Sequence, residues 1–590
     1  MDIFGILTMI GGLALFLYGM NTMGDGLVML SGGKLERVLE KLTQKRIMAL
    51  LLGAFVTAVI QSSSATTVMV VGFVNSGIMK LTQAVGIIMG ANVGTTITSW
   101  ILSLSGISGD NVFINLLKPS SFSPILAAVG IVCMMTGKDG SKKKTIGNIL
   151  LGFAILMFGM ETMSDAVSPL KDNKAFTSML TAFSNPFLGM VAGALLTAVI
   201  QSSSASVGIL QALCMSGAVT YGTAIPIIMG QNIGTCVTAL ISSVGASKNA
   251  KRAAFIHLYF NLIGTLLFMI VFYTINSFAN FLFMEESAGA AGIAVVHSLF
   301  NIGCAVVLFP FADRLVTLAT YTVRNHRETE DTLEKPAELL ALDERFLETP
   351  SYAIQLCKKA VIKMAEHTKN AIFLAMEIQK EYSDEKITEV EALEQLVDNY
   401  EDCIGTYLVK IAGRDLGKED SHLLSTLLHS ISDFERISDH AINIAESVQK
   451  MHEQGIVFSD KAKEELNSLE TAVRDIVDIT EDIFDNEDTN KAVNVEPLEE
   501  VIDDVVMEMK QRHIMRLRKG ECSMEAGIIL EDILTNYERV SDHCSNIAAA
   551  LIEIKADELD MHQYVDVKVK GSDPYFQKEY LRLKNIYILP

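Results

Sequence analysis

The chain has 590 residues, too many for one hydrophobic core, and half of them are hydrophobic although the formal net charge is −21. That charge is unevenly placed: residues 1–320 carry 17 Lys and Arg against 12 Asp and Glu, net +5, and residues 321–590 carry 31 against 57, net −26. With no nucleotide loop, nucleophile elbow or zinc motif, the chain is not expected to be an enzyme, and nucleic acid is not an expected partner.

In chain order, the apolar runs 3–18, 146–160, 253–275 and 293–311 are long enough, or nearly so, to cross about 30 Å of hydrocarbon as helices, and none follows residue 311. The start lacks the basic region of a cleavable signal, so the first run is expected to stay as a helix. The eight cysteines include no Cys-x-x-Cys pair and are expected to be free thiols. The expected fold is all-α: a polytopic membrane domain over residues 1–315, a linker over 316–344, a helical soluble domain over 345–555 and a tail over 556–590.

Within the first domain a polar cluster occurs twice in one register. Gly53-Ala-Phe-Val-Thr-Ala-Val-Ile-Gln61 runs into Ser62-Ser63-Ser64, and 140 positions later Gly193-Ala-Leu-Leu-Thr-Ala-Val-Ile-Gln201 runs into Ser202-Ser203-Ser204. The same offset relates residues 11–23 to 151–163 and the stretch holding Asn92, Thr95 and Thr96 to that holding Asn232, Thr235 and Cys236. Repeat 1 thus covers about 1–137 and repeat 2 about 146–275, with an extra helix about 293–311. Unpaired amides and hydroxyls are costly in hydrocarbon, so a duplicated cluster of them is a candidate solute site.

Each copy is expected to comprise a crossing helix, a re-entrant hairpin with the Ser cluster at its tip, a broken crossing helix and a third crossing helix. Three crossings invert the second copy. Lys and Arg accumulate on cytoplasmic loops. This topology puts Lys34, Arg37, Lys41, Lys45, Arg46, Lys138, Lys142 to Lys144 and Lys248 to Arg252 inside, and Lys118, Lys171, Lys174, Glu285 and Glu286 outside. The expected location is therefore the cytoplasmic (inner) membrane, with the acidic C-terminal domain in the cytoplasm.

A helix start at each tip offers N–H groups to an anion. Carbonyls at Gly-flanked breaks near Asn92, Thr95, Thr96, Asn232 and Thr235 offer oxygens to a small hard cation. The spans hold almost no charged side chain, and only His257 and His297 titrate there, so a bound anion needs a mobile counter-ion. Sodium fits that need better than a proton. For His257-Leu-Tyr-Phe-Asn261 and His297-Ser-Leu-Phe-Asn301, helix-to-helix hydrogen bonding is the expected role. A single Ser-rich patch reads as small-residue packing, and the in-register duplication weighs against that.

On its twin Gln-Ser-Ser-Ser motifs and Asn-x-Gly-Thr stretches, the membrane part resembles the type II sodium-dependent phosphate cotransporter family over about residues 1–315. The resemblance implies sodium-coupled symport of inorganic phosphate. It also implies a phosphate and sodium region made of Gln61, Ser62, Ser63, Ser64, Thr66, Gln201, Ser202, Ser203 and Ser204, supported by Asn92, Thr95, Thr96, Asn232 and Thr235. Ser206 and Cys236 stand where the first copy has Thr66 and Thr96, a departure that makes the cation sites unequal. Export through the same residues, or phosphate sensing without transport, are the alternative functions.

The acidic domain also repeats, with an offset of about 104. Glu precedes Asp by four residues at Glu394 and Asp398, Glu435 and Asp439, Glu499 and Asp503, and Glu538 and Asp542, which stacks like charges on one helix face and calls for a cation. A solvated acidic face is the alternative. The string Glu435-Arg-Ile-Ser-Asp439-His440 and its counterpart at 538–543 resemble PhoU, paired three-helix bundles whose Glu-x-x-x-Asp motifs carry metal clusters. That resemblance implies a divalent or trivalent metal and phosphate-signalling protein partners.

Overall fold

The computed structural model describes residues 3–31, 38–39, 45–106, 119–138, 140–169, 182–324, 336–555 and 574–590. Among these there are helices and no strand. They fall into two compact units, residues 1–352 with 416–418, and residues 353–415 with 419–590. The loop positions Lys34, Arg37, Lys41, Lys118, Lys171 and Lys174 lie outside the described residues, as do linker residues 325–335 and tail residues 556–573.

The first copy in unit 1 consists of α1 (Ile3–Ser31), α2 (Arg46–Ile60), α3 (Ser63–Asn75), α4 (Leu81–Ser103) and α5 (Pro119–Thr136). The second consists of α6 (Lys142–Val167), α7 (Pro186–Ile200), α8 (Ser203–Met215), α9 (Tyr221–Gly234), α10 (Cys236–Ser242) and α11 (Lys248–Ala279). After these come α12 (Ala290–Leu308) and α13 (Ala312–Thr322), so the stretch expected to open the linker continues as helix. Among the described residues, six stretches have the length and hydropathy to cross a membrane: α1, α4, α6, α9 with α10, α11, and α12 with α13.

The duplicated sequences meet as partners. A Cβ added at Gly12 would touch Gly159, and one at Gly19 would touch Gly152, so α1 and its counterpart α6 run antiparallel with equivalent residues exchanging contacts. Glycines let the two backbones close up where lipid gives no hydrophobic drive for association. The hairpins α2–α3 and α7–α8 also open toward opposite ends of the unit. At one end Arg46 pairs with Asp313, Arg252 donates to Val323 O at 2.9 and 3.1 Å, and Asn75 accepts from Ser247 N at 2.7 Å. At the other end Tyr221 N donates to Glu286 O at 3.1 Å and Ala288 N to Val219 O at 2.8 Å.

One expectation is corrected here. The Asn92 to Thr96 stretch is not a break, because α4 runs through it without interruption; only the second copy changes element, at Thr235 between α9 and α10. The glycines of these stretches serve packing instead. A Cβ on Gly90 would lie 2.0 Å from Leu50 O, and on Gly230 1.9 Å from Met190 O, so each hairpin's first arm rests directly on the next helix's backbone. Gly230→Ala is therefore expected to cost about 3 kcal/mol, since a carbonyl rather than a flexible side chain must yield. A lowered melting temperature of the purified chain checks this, and an unchanged one would mean the helices part freely.

Unit 2 repeats a three-helix pattern: α14 (Pro350–Lys380), α15 (Asp384–Ala412) and α16 (Lys418–Glu453), then α17 (Asp460–Asn486), α18 (Val495–Arg518) and α19 (Met524–Lys555). Ser383 and Ser459 cap α15 and α17 through their hydroxyls. The expected tail includes a further helix, α20 (Pro574–Ile586), tied to α18 where Tyr580 and Lys584 both donate to Asp504, at 2.5 and 2.6 Å.

Candidate functional site

Each hairpin turns on a glutamine in left-handed backbone, Gln61 at φ 62° and Gln201 at φ 59°. Such a conformation is rare for a residue with a side chain, and it occurs at both tips. The turn aims the next helix start at its counterpart, and Ser63 Oγ lies 3.4 Å from Ser203 Oγ. Ser64 Oγ lies 3.4 Å from Gln201 O, and Thr238 Oγ1 donates to Ser64 Oγ at 3.3 Å. Two positive helix ends therefore face one another. No Lys, Arg, Asp or Glu occurs in residues 47–79 or 182–247.

Other expected residues take structural partners. Ser62 and Ser202 cap α3 and α8, accepting from Ala65 N and Ala205 N at 3.1 and 3.2 Å. Thr95, Thr96 and Thr235 turn their hydroxyls to Ala91 O, Val93 O and Gln231 O in their own helices. Asn92 donates to Asn261 Oδ1 at 3.1 Å, bridging α4 and α11, while Asn232 bonds Ile228 O in its own helix. Gln61 is buried and donates to Ala58 O, whereas Gln201 is exposed. Of the two histidines, His297 bonds Ser99 Oγ at 2.7 Å across helices, but both ring nitrogens of His257 are buried without a partner. The expected helix-to-helix role therefore holds for His297 and Asn261 and not for His257.

The copies differ one turn deeper. In the first, Thr57 Oγ1 donates to Thr66 Oγ1 at 3.0 Å. In the second, the equivalent Thr197 and Ser206 are fully buried with unpartnered hydroxyls, and Gln231 replaces Ala91. The Gln231 amide donates to Ser206 O at 2.9 Å, which fixes its orientation and leaves Oε1 unsatisfied. Three buried neutral oxygens thus lack partners, a costly state unless a donor or cation meets them. Thr57, Thr197 and Gln231 are not among the residues expected from the sequence; the threonine repeated within both apolar nonapeptides is the available signal for the first two.

In unit 2, oxygens of Glu499, Asp503 and Asp542 come within 4.8 Å of one another. Burial, reinforced by Glu496 and Asp503, pushes Glu499 up to about 9. Burial and then Asp542 push Asp503 up to about 6, and Asp542 itself is raised. Glu538 instead faces Lys510 at 3.3 Å. In the other bundle Glu435 is pushed up to about 7, by burial and then by Asp439, Glu401 and Asp398, and Glu394 is raised by burial and Asp439. Among the described residues this second group does not close into a three-carboxylate cluster.

Comparison with known proteins matches the family described as Na+/Pi-cotransporter to residues 15–165 and 155–285, and the PhoU domain to residues 361–448 and 466–551. The chain is 23% identical over 565 residues to the "Putative inorganic phosphate export protein YjbB" of Salmonella typhimurium, covering 95% of this chain and 99% of that one. It is 36% identical over 155 residues to the human sodium-dependent phosphate transport protein 2B, covering 23% of this chain and 22% of that one. A PhoU homologue of Thermotoga maritima is 28% identical over 148 residues, covering 25% of this chain and 62% of that one. These relatives are named for phosphate transport or as its accessory protein, not as enzymes. With its duplicated hairpins and paired helical bundles, the chain belongs to the Na+/Pi-cotransporter family and carries two PhoU domains.

Proposed function

We propose that this chain carries inorganic phosphate together with sodium across the cytoplasmic membrane, with its two copies inverted in the bilayer and its PhoU domains in the cytoplasm. The observation that carries this reading is the 3.4 Å approach of Ser63 and Ser203 at two opposed helix starts. A phosphate placed there accepts from both hydroxyls and from free backbone N–H groups, with Gln61, Ser64, Gln201 and Ser204 around it. Thr66 and Asn92 tie neighbouring helices around it through Thr57 and Asn261, while Thr95, Thr96, Asn232 and Thr235 line the adjoining helices with hydroxyl and amide groups bonded to carbonyls one turn back. Ser62 and Ser202 shape the tips as caps.

Weak neutral donors suit a carrier, which must release its cargo. Sodium supplies the positive charge that the site lacks, and the unpartnered oxygens of Gln61, Thr197, Ser206 and Gln231 are donors a small alkali cation prefers. Because the hairpins open toward opposite ends, access can pass from one face to the other about the antiparallel α1 and α6. The likeness of nearly the whole chain to a protein named for phosphate export favours a second reading, net export through the same residues.

Purified chain in sealed vesicles tests this. Labelled phosphate is expected to accumulate against its gradient when sodium is imposed on one side, and potassium is expected not to replace it. Binding without accumulation would leave only a receptor, and accumulation indifferent to sodium would remove the coupling.

In unit 2 we propose that Glu499, Asp503 and Asp542 hold a divalent or trivalent cation, whose charge offsets three crowded carboxylates. Glu394, Asp398, Glu435 and Asp439 are the corresponding ligands of the first bundle, and Glu538 is held in reserve by Lys510.

A further inference from the structure

Residues 343–346, which straddle the expected boundary between linker and helical domain at 344 and 345, are built into unit 1. Asp343 Oδ1 accepts from Arg345 N at 2.9 Å, and its Oδ2 accepts from Arg345 Nη1 and Asn75 Nδ2, both at 2.6 Å. Arg345 Nε donates to Ser242 O at 2.7 Å, satisfying a carbonyl at the last residue of α10. Asn75 Oδ1 accepts from Ser247 N, the cap of α11. One ion pair, with side chains 16% and 5% exposed, therefore ties the ends of α3 and α10 to the start of α11. Phe346 is fully buried, its ring 5.2 Å from that of Phe73, and a Cβ on Gly72 would lie 2.9 Å from it. Tyr352 of the first turns of α14 sets its ring edge 5.4 Å from Phe73.

Only one hairpin offers this seat. The second copy has Ala212, Leu213 and Met215 where the first has Gly72, Phe73 and Asn75, so it lacks the amide that Asp343 grips. We infer that residues 343–346 are a latch that restrains the α2–α3 hairpin, with Asp343 and Arg345 as positioning residues that set the rate at which this hairpin changes access. The inference rests on the transport reading above for its effect on flux, but not for the restraint itself. A restraint on one of two inverted hairpins favours one facing of the carrier, and the latch ends seven residues before Ala353, where the second unit begins.

Hydrogen exchange on the full chain tests the restraint without transport. Arg345→Gln is expected to speed exchange at the C-terminal end of α3 about tenfold and leave α8 unchanged. Equal exchange in both proteins would overturn the latch. In vesicles the same change is expected to alter turnover with the half-saturating phosphate concentration unmoved. A variant carrying Asn75→Cys and Asp343→Cys, bridged through two mixed disulfides by a short bis-methanethiosulfonate reagent, is expected to slow at least about tenfold and to recover on reduction, while single-cysteine variants do not slow. Full flux in the bridged protein would make residues 343–346 a static brace. Absence of flux in the unaltered chain would sink the transport reading instead, with the exchange result still deciding the latch.

Discussion

Replacing both Ser63 and Ser203 with alanine is expected to raise the half-saturating phosphate concentration about a thousandfold, because each hydroxyl lost to a charged acceptor costs about 2 kcal/mol. Either change alone is expected to give about thirtyfold by the same reckoning. The chain should fold normally, since these hydroxyls meet one another across the tips rather than holding a helix. Ser62→Ala is the control: its hydroxyl already serves Ala65 N, so the change is expected to cost about 1 kcal/mol of stability with little effect on phosphate affinity. Gln61→Gly separates backbone from side chain in the same way. Glycine accepts the left-handed turn at φ 62° without strain, so the folded yield should hold or rise while transport falls with the missing amide. Sodium-driven phosphate flux and melting temperature, measured on all five variants, decide the matter. If Ser62→Ala weakens phosphate as much as Ser203→Ala, the tips are packing elements and the anion site lies elsewhere.

Much of this architecture was legible in the residues because duplication doubles the information. The 140-residue offset pairs α1 with α6 and one serine tip with the other, although it does not say that the equivalent helices touch. That contact depends on the antiparallel course of α1 and α6, seen where Gly12 meets Gly159 and Gly19 meets Gly152. Taken locally, the glycine in Asn-x-Gly-Thr suggests a helix break because glycine weakens helices. Its actual use, close approach to a neighbouring carbonyl, depends on a partner helix that local sequence does not name. Asp343 and Arg345 look like a solvated boundary between linker and helical domain for the same reason: their seat is created by Asn75, Ser242 and Phe73, all distant in sequence. In unit 2 the four-residue Glu and Asp spacing located the carboxylates, but α18 and α19 had to be packed before Asp542 rather than Glu538 could join Glu499 and Asp503.

Glu499→Gln is expected to stabilise the metal-free second unit at pH 8 by an amount on the order of 1–2 kcal/mol and to abolish its further stabilisation by manganese. The sign follows from the direction of the shift. A carboxyl raised from its ordinary value to about 9 binds its proton more tightly in the folded chain than in the unfolded one. Its favourable contribution is present at low pH, below the unfolded value, and is lost as pH rises through the folded one. The metal-free wild type should therefore weaken steadily between about pH 5 and pH 9, with Asp503 adding to the fall near pH 6. A bound cation reverses this trend by favouring the ionised carboxylates, adding about 2.7 kcal/mol at a hundred times its dissociation constant. Glutamine keeps the shape and discards the charge, so the variant begins more stable and gains nothing from metal. Hydrogen exchange of α18 and α19 in the full chain, with and without manganese at pH 6 and pH 8, reads both effects locally. A variant weaker than wild type without metal would show that the Glu499 carboxylate is already satisfied by the fold, which would leave these three acids as a structural cluster with no cation to hold.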